Sequence, residues 1–77
     1  RDGLHARPCA RISEAALASR CEVVLVLGGK TASAVSVFEM LGLGAGGGAE
    51  VEVRARGPGA DAAARRIAEI LSRPGDP

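Results

Sequence analysis

The chain has 77 residues, a formal net charge of +1 and a single aromatic residue, Phe38. A chain of this length forms one small domain, and its nearly neutral charge and lack of an aromatic stacking platform exclude a nucleic-acid-binding surface. No apolar run approaches the roughly 20 residues of a membrane-spanning helix, and no signal peptide is visible, so we expect a cytoplasmic protein.

The first predicted element is a helix from Ala6 to Ser19. Pro8 suits its first turn because a proline has no backbone N–H to leave unsatisfied. His5, the only histidine of the chain, would lie at or next to the N-cap of this helix. Apolar residues recur at three- and four-residue steps and form one stripe suited to packing on a sheet, namely Cys9, Ile12 and Ala16, with Leu17 beside them.

The start of this helix is a candidate phosphate site. Its first turn would present free N–H groups and a partial positive charge of roughly +0.5, and such a terminus binds phosphate readily. Arg7 adds a permanent cation that can donate two hydrogen bonds to phosphate oxygens. The residues suggest that the phosphorylated form of His5 is held by a helix N-terminus and an arginine. The alternative is that His5 is an ordinary cap or surface residue.

The middle of the chain predicts a β-hairpin. Glu22 to Leu27 is short and rich in β-branched residues, which is typical of a strand. The Gly28-Gly29 pair is a hairpin signal, and Lys30 to Ala34 then returns as a second strand.

A short helix is predicted to begin after Ser36 and to run to about Leu43. Ser36 and Glu39 have the spacing of a capping box. In that motif Ser36 accepts from the N–H of Glu39, and Glu39 accepts from the N–H of Ser36. The glycines between positions 42 and 48 end the helix and predict a loop.

The last two elements are a strand and a helix. Ala49 to Arg56 alternates apolar and charged residues, as a strand with one solvated face does, and Ala60 to Ser72 has the period of a helix. The predicted buried stripe of that helix consists of Ala60, Ala64, Ile67 and Leu71. The order of elements predicts an α+β fold with the helices on one face of a mostly antiparallel sheet.

The two cysteines do not form a metal-binding pattern with each other or with His5. A disulfide between Cys9 and Cys21 is not expected in a reducing cytoplasm. The thiol of Cys9 lies in the first turn of a helix, where a lowered pKa could make it reactive. The alternative is a small residue packed against the sheet.

The segment GLHARPCA, from Gly3 to Ala10, resembles the active-site signature of the histidine-containing phosphocarrier protein (HPr) family of the bacterial sugar phosphotransferase system. The resemblance covers roughly residues 3 to 72. Further segments occur at the order and spacing of that family, namely Gly29-Lys30-Thr31, Ser36-Val37-Phe38, Leu41-Gly42-Leu43-Gly44 and Gly48-Ala49-Glu50-Val51. The resemblance implies a single HPr-like open-faced sandwich over residues 1–77, with a frayed tail at 73–77.

The resemblance also implies a mechanism. His5 would be phosphorylated at Nδ1 by phospho-enzyme I, with phosphoenolpyruvate as the ultimate donor, and would pass the group to the A domain of a sugar-specific enzyme II. The backbone N–H groups of Ala6 and Arg7, with the Arg7 guanidinium, would hold the phosphoryl oxygens. Such a protein is a stoichiometric carrier and not an enzyme, and it requires no cofactor and no metal ion.

Four positions match the docking patch that HPr proteins use for enzyme I and the A domains: Ala10, Val37, Phe38 and Leu41. The alternative for the apolar residues of the short helix is burial in the core. We favour docking for Phe38 and Leu41, because Met40 and Leu43 can supply the core-facing side of that helix and an exposed apolar patch usually marks a partner site.

Ser36 also has two interpretations. It is an N-cap residue by its position, and in Gram-positive relatives the matching serine is phosphorylated by a regulatory HPr kinase. Here Glu39 replaces the glycine common in those kinase-regulated proteins. We therefore favour the cap.

The sequence departs from the HPr pattern in two further ways. Glu14 and Leu17 stand where lysines are often found, so steering toward acidic partners rests on Arg7, Arg11 and Arg20. HPr domains also have a strand before the histidine, which this chain starts too late to contain, and we expect that the sequence is a truncated segment. The alternatives are that another chain supplies the strand, or that the open edge of the strand at 49–56 is tolerated.

Three other assignments remain open at this point. The chain could be a domain of a multidomain phosphotransferase protein, such as one linked to dihydroxyacetone kinase. It could be a regulatory binding module that is not phosphorylated, although such relatives have lost the histidine. It could also act in redox chemistry through Cys9.

Overall fold

The computed structural model of the chain describes residues 6–44 and 50–72. The predicted phosphorylation site His5 and the predicted tail at 73–77 lie outside these residues. The described elements follow the predicted order and are α1 (Ala6–Ser19), β1 (Glu22–Leu27), β2 (Lys30–Ser33), α2 (Val37–Gly42), β3 (Glu52–Arg56) and α3 (Ala60–Ser72).

The three described strands form one antiparallel sheet in the order β2-β1-β3. Val24 of β1 is paired with Ser33 on one side and with Arg54 on the other. The predicted hairpin turn is confirmed, and its residue Gly28 has a φ of +61°, in the left-handed region that glycine adopts without strain. The sheet is therefore antiparallel throughout its described part, as the sequence predicts.

Two strand boundaries differ from the prediction. β2 ends at Ser33 and not at Ala34, because the chain turns there and the N–H of Ser36 donates to the carbonyl of Ser33 at 3.1 Å. β3 begins at Glu52 and not at Ala49. The ladder with β1 reaches only the pair of Val26 and Glu52, beyond which β1 ends in its hairpin.

All three helices lie on one face of the sheet and enclose the core. α1 contacts both α2 and α3, and α3 also contacts β3 and β1. The inward side chains of β1, Val23 and Leu25, are buried, whereas Val24 and Val26 on its other face are half-buried. The helices bury one stripe each, formed by Pro8, Cys9, Ile12 and Ala16 in α1, by Met40 in α2, and by Ala63, Ile67 and Ile70 in α3.

The buried stripe of α3 differs from the predicted one. Ile67 is central as expected, but Ala63 and Ile70 are buried while Ala60, Ala64 and Leu71 are only half-buried. Because α3 packs on α1 as well as on the sheet, its buried face is rotated toward the neighbouring helix. Among the described residues, no helix combines the length and apolar character needed to span a bilayer.

Candidate functional site

The N-terminal turn of α1 is the described half of the predicted phosphate site. Ala6 and Arg7 are both exposed, and Pro8 packs into the core behind them. The backbone N–H groups of Ala6 and Arg7 have no acceptor within the helix, because the helix begins at Ala6. No acidic residue occupies the first turn of α1, so no carboxylate there neutralises the positive end of the helix dipole. Binding of an anion at this turn stays a prediction.

The predicted docking residues lie on the surface to different degrees. Phe38 has 86% of its surface exposed and Leu41 has 42%, so the core alternative is wrong for Phe38. Ala10 is exposed on α1, whereas Val37 is half-buried and packs against the core. Met40 and Leu43 are buried, as predicted. The docking role itself stays a prediction.

A hydrogen bond joins α1 to the turn that precedes α2. The hydroxyl of Ser13, in the middle of α1, donates to the carbonyl of Val35 at 2.8 Å. The helix that carries Arg7 and Ala10 and the helix that carries Phe38 are thereby held next to each other. Sequence reasoning missed this bond, because a serine between two apolar stripe residues gives no signal of a partner 22 residues away.

The cap of α2 differs in one half from the predicted capping box. Ser36 is the N-cap, and its Oγ accepts from the N–H of Glu39 at 3.1 Å, as expected. The predicted reciprocal bond, from the N–H of Ser36 to Glu39, is wrong. The carboxylate of Glu39 accepts instead from the N–H of Ser33, at 2.9 Å. The N–H of Ser36 is already bound to the Ser33 carbonyl, so it is not available to the carboxylate.

The cysteines are buried and serve the core. Cys9 has no exposed surface, and burial raises the pKa of its thiol, which lowers the fraction of reactive thiolate at neutral pH. Cys21 donates from Sγ to the carbonyl of Pro58 at 3.0 Å, and both cysteines are free thiols. The packing interpretation of Cys9 is therefore supported over the redox one. Within residues 6–44 and 50–72, no cluster of three potential metal ligands occurs.

The charged side chains of the outer sheet face form pairs of their own. Arg56 pairs with Glu22 across β3 and β1, and Arg54 pairs with Glu52 at 2.7 Å. The hydrogen bond from Arg54, together with its charge, lowers the pKa of Glu52. These ion pairs are exposed and lie on the face of the sheet away from the helices, so they take no part in the candidate site.

Comparison with known proteins gives one family and several similar structures. The family model described as "PTS HPr component phosphorylation site" matches residues 1–73. Crh, the catabolite repression containing protein of Bacillus subtilis, is 29% identical at a TM-score of 0.85, and the match covers 95% of this chain and 84% of Crh. The phosphocarrier protein HPr of Bacillus anthracis is 27% identical at a TM-score of 0.85, and the match covers 91% of this chain and 83% of that protein.

A third structure, HPr-C-His of Thermoanaerobacter tengcongensis, is 25% identical at a TM-score of 0.86, and the match covers 95% of this chain and 82% of that one. The comparison with curated protein sequences gives no match. The described arrangement, three helices against an open three-stranded antiparallel sheet, matches the HPr fold of these neighbours and confirms the predicted open-faced sandwich.

Proposed function

The chain belongs to the HPr family of phosphocarrier proteins, and we propose that it carries phosphoryl groups in the phosphoenolpyruvate-dependent sugar phosphotransferase system. His5 accepts the group from phospho-enzyme I and passes it to the A domain of an enzyme II. The observation that carries the proposal is the family match, which is defined by a phosphorylation site and spans residues 1–73.

The chemistry requires a neutral imidazole at cytoplasmic pH. The unperturbed pKa of histidine is about 6.5, so a ring nitrogen with a free lone pair is available. In the proposed step Nδ1 of His5 forms a bond to phosphorus while the bond between phosphorus and the phosphorylated group of enzyme I breaks. In the onward step, a bond forms between phosphorus and the acceptor group of an A domain while the bond between Nδ1 of His5 and phosphorus breaks, which regenerates the neutral imidazole.

The first turn of α1 would hold the phosphoryl oxygens. The N–H groups of Ala6 and Arg7 are not used within the helix, and the exposed guanidinium of Arg7 supplies charge and a two-pronged donor. The hold must be moderate, because a phosphohistidine that is bound too tightly would not transfer its group. The family's proteins are carriers and not classical enzymes, in keeping with this requirement.

Docking would use the apolar surface beside this turn. Ala10, Phe38 and Leu41 are exposed on the two helices that the bond from Ser13 to Val35 joins, and Val37 supports them from a half-buried position. An exposed phenylalanine on a small domain is a strong candidate for an anchor in a partner pocket. We assign enzyme I and the enzyme II A domains as the partners of this surface.

The test is intact-mass spectrometry after incubation with enzyme I, Mg²⁺ and phosphoenolpyruvate. Wild type should gain one acid-labile phosphoryl group, and His5→Ala, shown to be folded by circular dichroism, should gain none. Arg7→Ala should be phosphorylated more slowly because the oxygens lose their cation. A folded wild type that gains no phosphoryl group would contradict the proposal.

A second candidate function is regulatory and is favoured by the likeness to Crh, whose name refers to catabolite repression. In this proposal Ser36 is phosphorylated by a regulatory HPr kinase. Ser36 is half-buried and its hydroxyl is occupied as the cap of α2, and the acidic Glu39 follows it on that helix, which weighs against the modification. The test is incubation with such a kinase and ATP, followed by intact-mass spectrometry. If Ser36 is the site, wild type gains one phosphoryl group and the control Ser36→Ala gains none.

A further inference from the structure

The outer edge of β2 carries two residues whose backbone groups point away from the sheet. β2 is an end strand of the described sheet, whose order is β2-β1-β3. Just after β2, the N–H of Ala34 donates to the carbonyl of Val23 at 2.9 Å, so the backbone groups of Ala34 face β1. Because this direction alternates along an antiparallel strand, the N–H and carbonyl groups of Ser33 and Thr31 face outward.

The outward groups of these two residues differ in their partners. The N–H of Ser33 donates to the Glu39 carboxylate at 2.9 Å, and its carbonyl accepts from the N–H of Ser36 at 3.1 Å. In the described part of the chain, nothing binds the outward N–H or carbonyl of Thr31. Free backbone groups on an edge strand are a template for pairing with another strand. This edge is therefore closed at Ser33 and open at Thr31.

The edge of β2 is complementary to a second copy of itself. Antiparallel pairing centred on Ala32 would set Thr31 of one copy opposite Ser33 of the other, and each such pair exchanges two N–H···O bonds. Their hydroxyl side chains would be cross-strand neighbours, which is a favourable pairing. The exposed side chains of Lys30 would lie at opposite ends of the paired strands, so no like charges would meet.

Glu39 occupies the position that a second copy would need. Its carboxylate oxygen lies 2.9 Å from the nitrogen of Ser33, at the hydrogen-bonding distance that the Thr31 carbonyl of a second copy would have to take. A backbone N–H has one proton to donate, so Ser33 cannot serve both acceptors fully. With Glu39 in place, strand pairing would leave the incoming carbonyl without a donor, which disfavours association.

We propose that the outer edge of β2 is a strand-pairing surface for a second copy of this chain, and that the Glu39 carboxylate keeps it closed. Loss of the acceptor at position 39 frees the N–H of Ser33, and two copies then join edge to edge. The device is independent of the proposed carrier function, because neither Thr31 nor Ser33 belongs to the candidate phosphate site or to the proposed docking surface.

The experiment is sedimentation velocity of variants shown to be folded by circular dichroism. Between about 10 µM and about 1 mM, the range suited to a small interface, the weight-average mass of Glu39→Ala should rise to nearly twice that of wild type at the same concentration. Glu39→Gln loses the charge but keeps an acceptor oxygen, so it should match wild type. Glu69→Ala, which removes a negative charge from an exposed position on α3, should also match wild type.

A second substitution tests whether the association uses this edge. Thr31→Pro, added to Glu39→Ala, should restore the mass of wild type, because proline has no N–H to donate to a second copy. The N–H of Thr31 faces away from β1, and proline is tolerated at such a position of an edge strand.

Three results would overturn the proposal. If Glu39→Ala has the mass of wild type at every concentration, Glu39 does not keep the edge closed. If Glu39→Gln associates as strongly as Glu39→Ala, the removed charge and not the lost acceptor is the cause. If the double variant with Thr31→Pro still associates, the two copies meet through another surface.

Discussion

The carboxylate of Glu39, in the first turn of α2, accepts a hydrogen bond from the backbone N–H of Ser33, at the end of β2. The Ser36 hydroxyl accepts from the N–H of Glu39 at the same time. Together the two bonds fix the turn between the strand and the helix that carries Phe38. The orientation of the proposed docking helix therefore depends on a side chain that is not itself part of the docking surface.

Removal of the Glu39 carboxylate should destabilise the fold. A hydrogen bond to a charged group contributes about 1.5–3 kcal/mol when it is well shielded, and the exposure of Glu39 reduces this, so we expect Glu39→Ala to lower the free energy of unfolding by about 1 kcal/mol. Glu39→Gln keeps an acceptor oxygen and should lose less. The measurement is urea denaturation followed by circular dichroism.

Glu69→Ala is the matched control for this experiment. Glu69 is also an exposed helical glutamate, but its partner is the Arg66 side chain on the same helix, at 3.3 Å. Such a pair contributes about 0.3–0.5 kcal/mol. If Glu39→Ala and Glu69→Ala lower the free energy of unfolding equally, the bond to Ser33 contributes no more stability than an exposed ion pair.

Ser36 should stabilise α2 as its N-cap. Ser36→Ala removes the acceptor for the Glu39 N–H and should lower the free energy of unfolding by about 1 kcal/mol, whereas Ser36→Asp, another good cap, should lose much less. Chemical denaturation of the three proteins gives the comparison. Equal losses for the two variants would mean that a contact other than the cap bond is responsible.

Phe38 should affect docking far more than folding. Because 86% of its surface is exposed, Phe38→Ala should change the free energy of unfolding by less than about 0.5 kcal/mol. The same change should raise KM for phosphotransfer about tenfold if Phe38 is an interface anchor. The readouts are thermal melting and the initial rate of phosphorylation.

Met40, two residues further along α2, is the internal comparison for Phe38. It is fully buried, so Met40→Ala should lower the free energy of unfolding by about 2–5 kcal/mol. A collapse of melting in Phe38→Ala, with docking unchanged in the folded fraction, would contradict the assignment of Phe38.

The thiol of Cys9 should react with iodoacetamide only when the protein opens. Its pKa is raised by burial, so the thiolate fraction is small at neutral pH and increases only as the pH rises toward that pKa. Alkylation of native protein should be slower than that of urea-unfolded protein by a factor of about 100 or more, since the buried side chain must first be exposed. Peptide mass spectrometry distinguishes Cys9 from Cys21, and rapid native labelling of Cys9 would revive the redox assignment.

The sequence predicts the elements whose local signals are strong. α1 and α3 have their predicted bounds because apolar periodicity marks both helices, and β1 because β-branched residues fill it. The N-cap of α2 follows from Ser36 alone. The motif around His5 likewise identified the family that the comparison confirms.

Features that depend on distant partners could not be predicted. The Glu39 carboxylate could accept from the N–H of Ser36 or from that of Ser33. It accepts from Ser33 because the turn already uses the N–H of Ser36. The start of β3 is set by where β1 ends, and not by its own alternating pattern. Leu17 was placed beside the buried stripe of α1, and it is exposed whereas its neighbour Ala16 is buried.

Arg20, which follows the end of α1, offers a route to a more stable protein. Its φ is +61°, a region where a side chain introduces strain, and its N–H donates to the carbonyl of Leu17 at 3.3 Å in the last turn of the helix. Glycine adopts this conformation without strain, although it loses more entropy on folding. Because the strain is relieved, Arg20→Gly should raise the free energy of unfolding by about 0.5–1 kcal/mol after the entropy loss is counted. Arg20→Ala removes the same charge and keeps the strain, so it should give no such gain. The measurement is the midpoint of urea denaturation for wild type and both variants, compared at an unchanged m-value. Equal gains in stability for both variants would assign the effect to the removed charge and not to the backbone.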